Sequence, residues 1–335
     1  MAFKERAMTE KPEEAPLHWS QHDEQAAGYW QLKFLFILFK IFPVVILRVI
    51  AFPVGFFYFL FAKRARAESR RFLQRIAPFI EDPRIAKKCR SRFGPLRHII
   101  SFSLAVVEKL QTWGNRFSLK NVHYQDDDIK DLIRELEDGK GVVLAFSHLG
   151  NAELLRGLLS FGQTRVSRKI PFTAILDMKV NAHFSRILKE LNPQADMDVI
   201  CAEDIGPHTM VFLEEKIDGG GMILFTGDRT SVDGKNLVIP FLGKDAPFPF
   251  GIFYMAALIN APVYFVFALR RKDLSLKAEY DMHVHKSPLS FDCARKERLK
   301  RSSLLADSFT KLLEGYCKEC PFQWYNFFDF WQEGA

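Results

Sequence analysis

The stretch Ser147-His148-Leu149-Gly150-Asn151-Ala152-Glu153 comes closest, by residue type and spacing, to a site for proton transfer. An imidazole titrates near neutrality, so His148 is the natural base. Gly150 permits a tight turn after the preceding strand, and Asn151 is a reasonable helix N-cap. That puts Glu153 in the first helical turn, close enough to turn back toward the imidazole. A carboxylate holding one ring nitrogen fixes the tautomer and makes the other nitrogen a better base. No nucleophile elbow or reactive-cysteine pattern lies nearby, so a His148–Glu153 dyad would deprotonate a substrate hydroxyl or amine directly. The plainer reading makes Glu153 a dipole-stabilising residue at a helix start and His148 an ordinary strand-end residue. The same His-x4-acid spacing recurs at His18/Asp23 and His123/Asp128, but only His148/Glu153 follows a buried strand.

A second cluster, Gly227-Asp228-Arg229-Thr230, directly follows the strand-like MILFT. Arg229 at a strand's carboxyl end suits bidentate binding of a phosphate or carboxylate, the alternative being a solvated arginine in a surface turn. Asp228 and Asp233-Gly234 lack the spacing of a calcium loop. Downstream, Phe241, Phe248, Phe250, Phe253 and Tyr254 surround Pro240, Pro247 and Pro249, an apolar lip for an acyl chain or simply hydrophobic core. Cys317-x-x-Cys320 has no second pair, so zinc is not expected, and it does not open a helix after a strand, as thioredoxin-like chemistry requires. The 219–221 glycine run lacks a P-loop's Lys-Ser/Thr, and no GxGxxG opens a helix.

The elements that must position these groups alternate in type. Strand-like GVVLAF (141–146), PFTAIL (171–176), DVICA (198–202), MILFT (222–226) and PVYFVFAL (262–269) are separated by helical stretches over 151–160, 179–191, 208–217 and 250–260. This pattern predicts an α/β fold with a mainly parallel sheet and helices on both faces, and reactive groups beyond the strands' carboxyl ends. Residues 276–285 read as an edge strand and 295–318 as a charged surface helix. Ahead of the sheet, 65–76, 94–113 and DLIRELED read as helices, the last stopping at Gly139. The expected organisation is an acidic lead (1–27), a membrane-associated hydrophobic and basic helical region (28–122), and an α/β domain (123–335).

Composition supports the membrane reading. Of the 335 residues 33 are Phe, a side chain with a large apolar payload and no polar handle. Nine fall between 34 and 61, inside FLFILFKIFPVVILRVIAFPVGFFYFLFA (34–62). The net charge of +7 is concentrated in residues 63–97, where twelve bases face three acids. A greasy run followed at once by a basic cluster suits an anionic, cytoplasmic membrane leaflet better than nucleic acid. Residues 44–62 would span ~28 Å as a helix, close to the ~30 Å hydrocarbon core. Lys33, Lys40 and Arg48 also form one basic stripe on a helical wheel, which favours a tilted or in-plane helix kinked at Pro43 and Pro53. Five scattered cysteines point to a reducing compartment.

Taken together, these residues resemble the lipid A late acyltransferases of the lauroyl/myristoyl type, within the glycerolipid acyltransferase group. FSHLGNAELLRG is similar to that family's His-x4-Asp/Glu block. LDMKVN (176–181) resembles its second block, with Lys179 in place of the usual arginine-rich form. FTGDRTSVDGKNLVIPFLGKDAPFPFG (225–251) resembles its third, and PFQWYNFFDFW (321–331) its aromatic tail. HWSQHDEQAAGYW (18–30) looks closer to a bacterial branch of predicted acyltransferases outside the established lipid A enzymes. The resemblance implies a thioester donor on acyl carrier protein or coenzyme A, and a lipid acceptor at the cytoplasmic face of the inner membrane. It implies no cofactor or metal. His148 would be the general base and Glu153 its orienter, with Arg229, Asp228, Lys179 and Asn151 on the substrate side. N-acylation of an amine lipid would use the same dyad, and a non-catalytic lipid-binding protein would use the same pocket.

Overall fold

The computed structural model describes residues 37–39, 41–160, 162–176, 197–230 and 235–332. Ahead of the sheet the described residues include α1 (Val44–Phe61), α2 (Lys63–Ile76), α3 (Pro83–Arg90) and α4 (Gly94–Trp113). They are followed by β1 (Val122–Tyr124), α5 (Asp128–Glu137), β2 (Val142–Phe146), α6 (Glu153–Ser160), β3 (Phe172–Leu176) and β4 (Met197–Cys201). Then come α7 (Pro207–Asp218), β5 (Met222–Thr226), the hairpin β6 (Asn236–Phe241) and β7 (Lys244–Pro249), and α8 (Phe250–Ile259). The described chain continues with β8 (Val263–Arg270), β9 (Tyr280–Lys286) and α9 (Arg295–Glu319). The helix expected over 179–191 lies outside the described residues.

Seven strands form one sheet in the order β1-β9-β8-β2-β5-β3-β4. Every neighbouring pair is parallel except β8 with β9. Strand alternation divides the core between the two faces. Val143 and Ala145 of β2 join a cluster with Leu213 of α7, Ala256 of α8 and Phe309 of α9. Val142, Leu144 and Phe146 join Leu132 and Leu136 of α5 and Leu154 and Leu158 of α6. Helices therefore cover both faces, and all five residues of β2 are buried, as expected of a central parallel strand.

Two expectations need correction, and one hairpin has no counterpart among them. β9 is not an edge strand, because β1 pairs with it outside β8. The stretch after MILFT contains the β6–β7 hairpin, closed at Leu242-Gly243 with both residues at positive φ. Helix α9 is only half a surface helix, since Leu305, Ala306, Phe309, Leu313 and Cys317 are buried along one side. The hairpin also settles the expected lip: Phe241, Phe248 and Phe253 are fully buried, so they are core.

Helix α1 is long and apolar enough to cross a membrane, and only 22% of it is buried. Leu47, Ala51 and Gly55, spaced four apart, form the stripe that meets α4. A Cβ at Gly55 would sit 2.8 Å from Ser103 Oγ, so the close helix approach requires glycine there. Arg48 belongs to this inner side and not to an outward basic stripe. It is 7% exposed and donates to the Leu276 carbonyl at 2.7 Å and to Gln111. Its neighbour Glu108 is fully buried and also accepts from Arg270 at 2.6 Å and from Tyr280 Oη. Lys33 and Lys40 lie outside the described residues. Outward, α1 presents Val45, Val49, Val54, Phe57 and Phe61.

Candidate functional site

Strands β2 and β5 are adjacent and in register, Phe146 opposite Thr226, so their carboxyl ends deliver Ser147-His148 and Gly227-Asp228-Arg229 to one place. His148 Nδ1 lies 2.8 Å from Asp228 Oδ1, and the His148 backbone N–H donates to Asp228 Oδ2 at 2.8 Å. A carboxylate only accepts, so Nδ1 carries the proton and the Nε2 lone pair is left for substrate. Trp324 Nε1 donates to the same Oδ2 at 3.1 Å. Asp228 is thus wholly buried with three donors, while the His148 side chain is 22% exposed.

Glu153, expected as the orienter, does not hold the imidazole. Its carboxylate forms an ion pair with Arg156, one turn along α6. Asn151 is buried but does not cap α6: its Oδ1 has no hydrogen-bond partner, and its Nδ2 points to Tyr280 Oη at 3.5 Å. The turn is held by backbone instead. Gly150 N–H donates to the Gln323 carbonyl, Asn151 N–H to the Ala268 carbonyl, and Tyr325 N–H to the His148 carbonyl. Gly150 has φ +73°, and a Cβ there would lie 2.0 Å from the Ala268 oxygen. Gly150→Ala is expected to lower unfolding free energy by at least ~2 kcal/mol in denaturant melts, from left-handed strain plus the backbone clash.

Arg229 uses Nε on Asn326 Oδ1 at 3.1 Å and Nη2 on the Tyr325 carbonyl at 3.3 Å. It therefore braces the C-terminal segment beside the imidazole. Lys179 lies outside the described residues. Sequence reasoning missed Lys109 of α4, a half-buried cation within electrostatic range of Glu153, Arg229, Arg156 and His148. The available signal was that Glu108 and Lys109 are the only charged residues in 99–113. It also missed what the aromatic tail does. His98 is wholly buried, bonded to Ser69 Oγ and to the Trp324 carbonyl, each at 3.0 Å. Four groups thereby form a chain, His98–Trp324–Asp228–His148, drawn from α4, the tail, and the ends of β5 and β2.

The electrostatics favour a neutral base. Burial and then the charge of Arg229 push the His148 imidazole below the ordinary histidine value, against the opposing pull of Asp228. Burial alone would raise the Asp228 carboxyl, but the charge and hydrogen bonds of His148 reverse this and leave it below the aspartate range. Burial likewise lowers Lys109, with Glu153 opposing and Arg229 and Arg156 assisting. His98 falls to about 3, so it is a neutral structural group. Burial raises the Cys317 thiol well above its usual value and Cys320 to about 12, so neither supplies a thiolate. The arrangement is an oriented neutral imidazole on a ledge of positive charge. It can take a proton from a hydroxyl or amine while Lys109 and Arg229 favour negative charge beside it.

The family model of the bacterial lipid A biosynthesis acyltransferases matches residues 18–332, nearly the whole chain. No curated protein matches the chain.

Proposed function

The chain belongs to the bacterial lipid A biosynthesis acyltransferase family, and on that premise we propose that it moves a fatty acyl group from an acyl thioester to a hydroxyl of a lipid or glycolipid acceptor. The observation that carries this reading is the 2.8 Å pair between His148 Nδ1 and buried Asp228. In the proposed reaction His148 Nε2 removes the acceptor proton as its oxygen attacks the thioester carbonyl carbon. The resulting oxyanion collapses, the carbon–sulfur bond breaks, and the imidazolium returns the proton to the leaving sulfur. Products are an ester and a free thiol. Asp228 orients the base, and Lys109 and Arg229 stabilise the oxyanion or a substrate phosphate. Glu153 holds Arg156 and offsets this concentration of positive charge. Asn151 and Lys179 belong to the substrate side of the same proposal.

The donor in this reading is acyl carrier protein or coenzyme A, each anionic, and the basic segment 63–97 suits either. The workplace is the cytoplasmic face of the inner membrane. The exposed apolar side of α1 would meet lipid, and the arginines that follow it would meet anionic headgroups.

The test supplies one labelled acyl thioester with hydroxyl-bearing and amine-bearing lipid acceptors, and identifies the product by mass spectrometry. An ester formed by the wild type and lost in His148→Ala supports the proposal. An amide product would make the protein an N-acyltransferase, and bound fatty acid with no thioester consumed would make it a lipid-binding protein. Trp324→Phe, which keeps the ring but removes the N–H to Asp228, is expected to lower kcat about tenfold with KM nearly unchanged. Steady-state kinetics on the purified variant checks this.

A further inference from the structure

Strand β9 carries a second histidine cluster that the acyl-transfer reading does not use. His283 and His285 are two residues apart and so lie on one face of the strand. Their rings are nearly parallel, 11° apart in plane and 6.5 Å between centroids. Asp126, in the connection from β1 to α5, lies against them. Its Oδ2 is 3.1 Å from His283 Nδ1 and also accepts the Val284 backbone N–H at 3.2 Å, which fixes the carboxylate at the strand. One ligand-capable atom from each of the three residues lies within 4.8 Å of the other two. All three side chains are half-buried, so the group is both reachable and held.

We propose that Asp126, His283 and His285 bind one divalent transition-metal ion of the zinc class. Two imidazoles and one carboxylate are the donor set such ions prefer, whereas calcium and magnesium select all-oxygen sites. Ligand distances of about 2.0–2.2 Å put donor atoms roughly 3.4 Å apart around a tetrahedral ion. The 3.1 Å pair already has that spacing, and the third donor lies within 4.8 Å of both. Three protein ligands leave the fourth position to water. Tyr316 of α9 flanks the cluster, with Oη 2.6 Å from His285 Nε2 and its ring 4.6 Å from that of His283. It supplies the outer contact that orients a histidine ligand. An ion here would tie the β1–α5 connection to β9 and brace both against α9. In sheet order β9 is separated by β8 from β2, the strand that delivers His148, so the ion would sit apart from the acyl-transfer base.

The test uses the full-length chain in detergent, stripped with a chelator and titrated with zinc chloride alone. One zinc per chain by elemental analysis is expected, together with a rise of several degrees in Tm. His283→Gln/His285→Gln should lose at least nine-tenths of that zinc. Asp126→Asn, which keeps the size and the backbone contact, should weaken binding at least tenfold, so the proposal does not depend on the double variant folding. Cobalt substitution should give tetrahedral d–d bands without thiolate charge transfer. Substoichiometric zinc, zinc retained by the variants, or a thiolate band from Cys317 and Cys320 would overturn it.

Discussion

His148→Ala is expected to lower the acyl-transfer rate by about 10²–10⁴-fold, the range a positioned general base contributes. The fold should survive, because alanine loses only the Nδ1 contact: its carbonyl still holds Tyr325 N–H, its own N–H still reaches Asp228, and Trp324 Nε1 still donates to that carboxylate. Asp228→Asn tests the orienting role separately. An amide can donate to Nδ1 and favour the wrong tautomer, so the rate should fall by a similar factor while the histidine stays in place. The pH profile gives a third check. The base is active when neutral and its pKa lies below the usual histidine value, so activity should be full at neutral pH and fall only as pH drops through that lowered pKa. Asp228 opposes the lowering, so removing its charge should move any residual acid limb to still lower pH. Stopped-flow or discontinuous thioester assays from pH 5 to 8 would read both effects. A Glu153→Gln variant with the full His148→Ala defect and a normal Asp228→Asn enzyme would reverse the assignment of orienter.

Glu108→Ala should cost the protein more stability than Gly150→Ala. Glu108 is completely buried, and burial pushes its carboxyl upward against the opposing pull of Arg270, Tyr280 and Arg48. Removing it leaves two guanidiniums inside the protein without their carboxylate. Breaking a buried ion pair in this way costs about 3–5 kcal/mol. Arg48 lies on α1 and Arg270 at the end of β8, so the loss should appear first as detachment of α1 and α4 from the sheet. Thermal melts and limited proteolysis between residues 43 and 63 would show it. A melt within about 0.5 kcal/mol of wild type would mean that the network contributes little net stability.

The fold is largely legible where the signal is local. β5 and α4 fall where MILFT and the apolar pattern over 94–113 put them, and β2, β3, β4 and β8 shift by a single residue, whereas β1 is unforeseen and β9 begins four residues later than expected. The β6–β7 hairpin escapes notice because its proline-rich sequence suppresses the strand signal and its pairing involves only itself. Arg48 is misplaced by a helical wheel, which displays the stripe but not which side meets another helix. The site fails in the same way. His148 stands out from its place after a buried strand, but its carboxylate partner lies 80 residues away. Glu153 is favoured because it is near in sequence. Asp228 reaches the imidazole because β2 and β5 are neighbours, a fact of strand order that no short window of sequence contains.

Order of synthesis gives the C-terminal segment a temporal meaning. Residues 323–326 hold the backbone at Gly150, the carboxylate of Asp228 and the guanidinium of Arg229. A ribosome makes these residues more than two hundred positions after α1. The apolar helix is therefore available to a bilayer long before the base can be oriented. A chain truncated before residue 323 is expected to leave Asp228 without its Trp324 contact and Arg229 without its Asn326 contact.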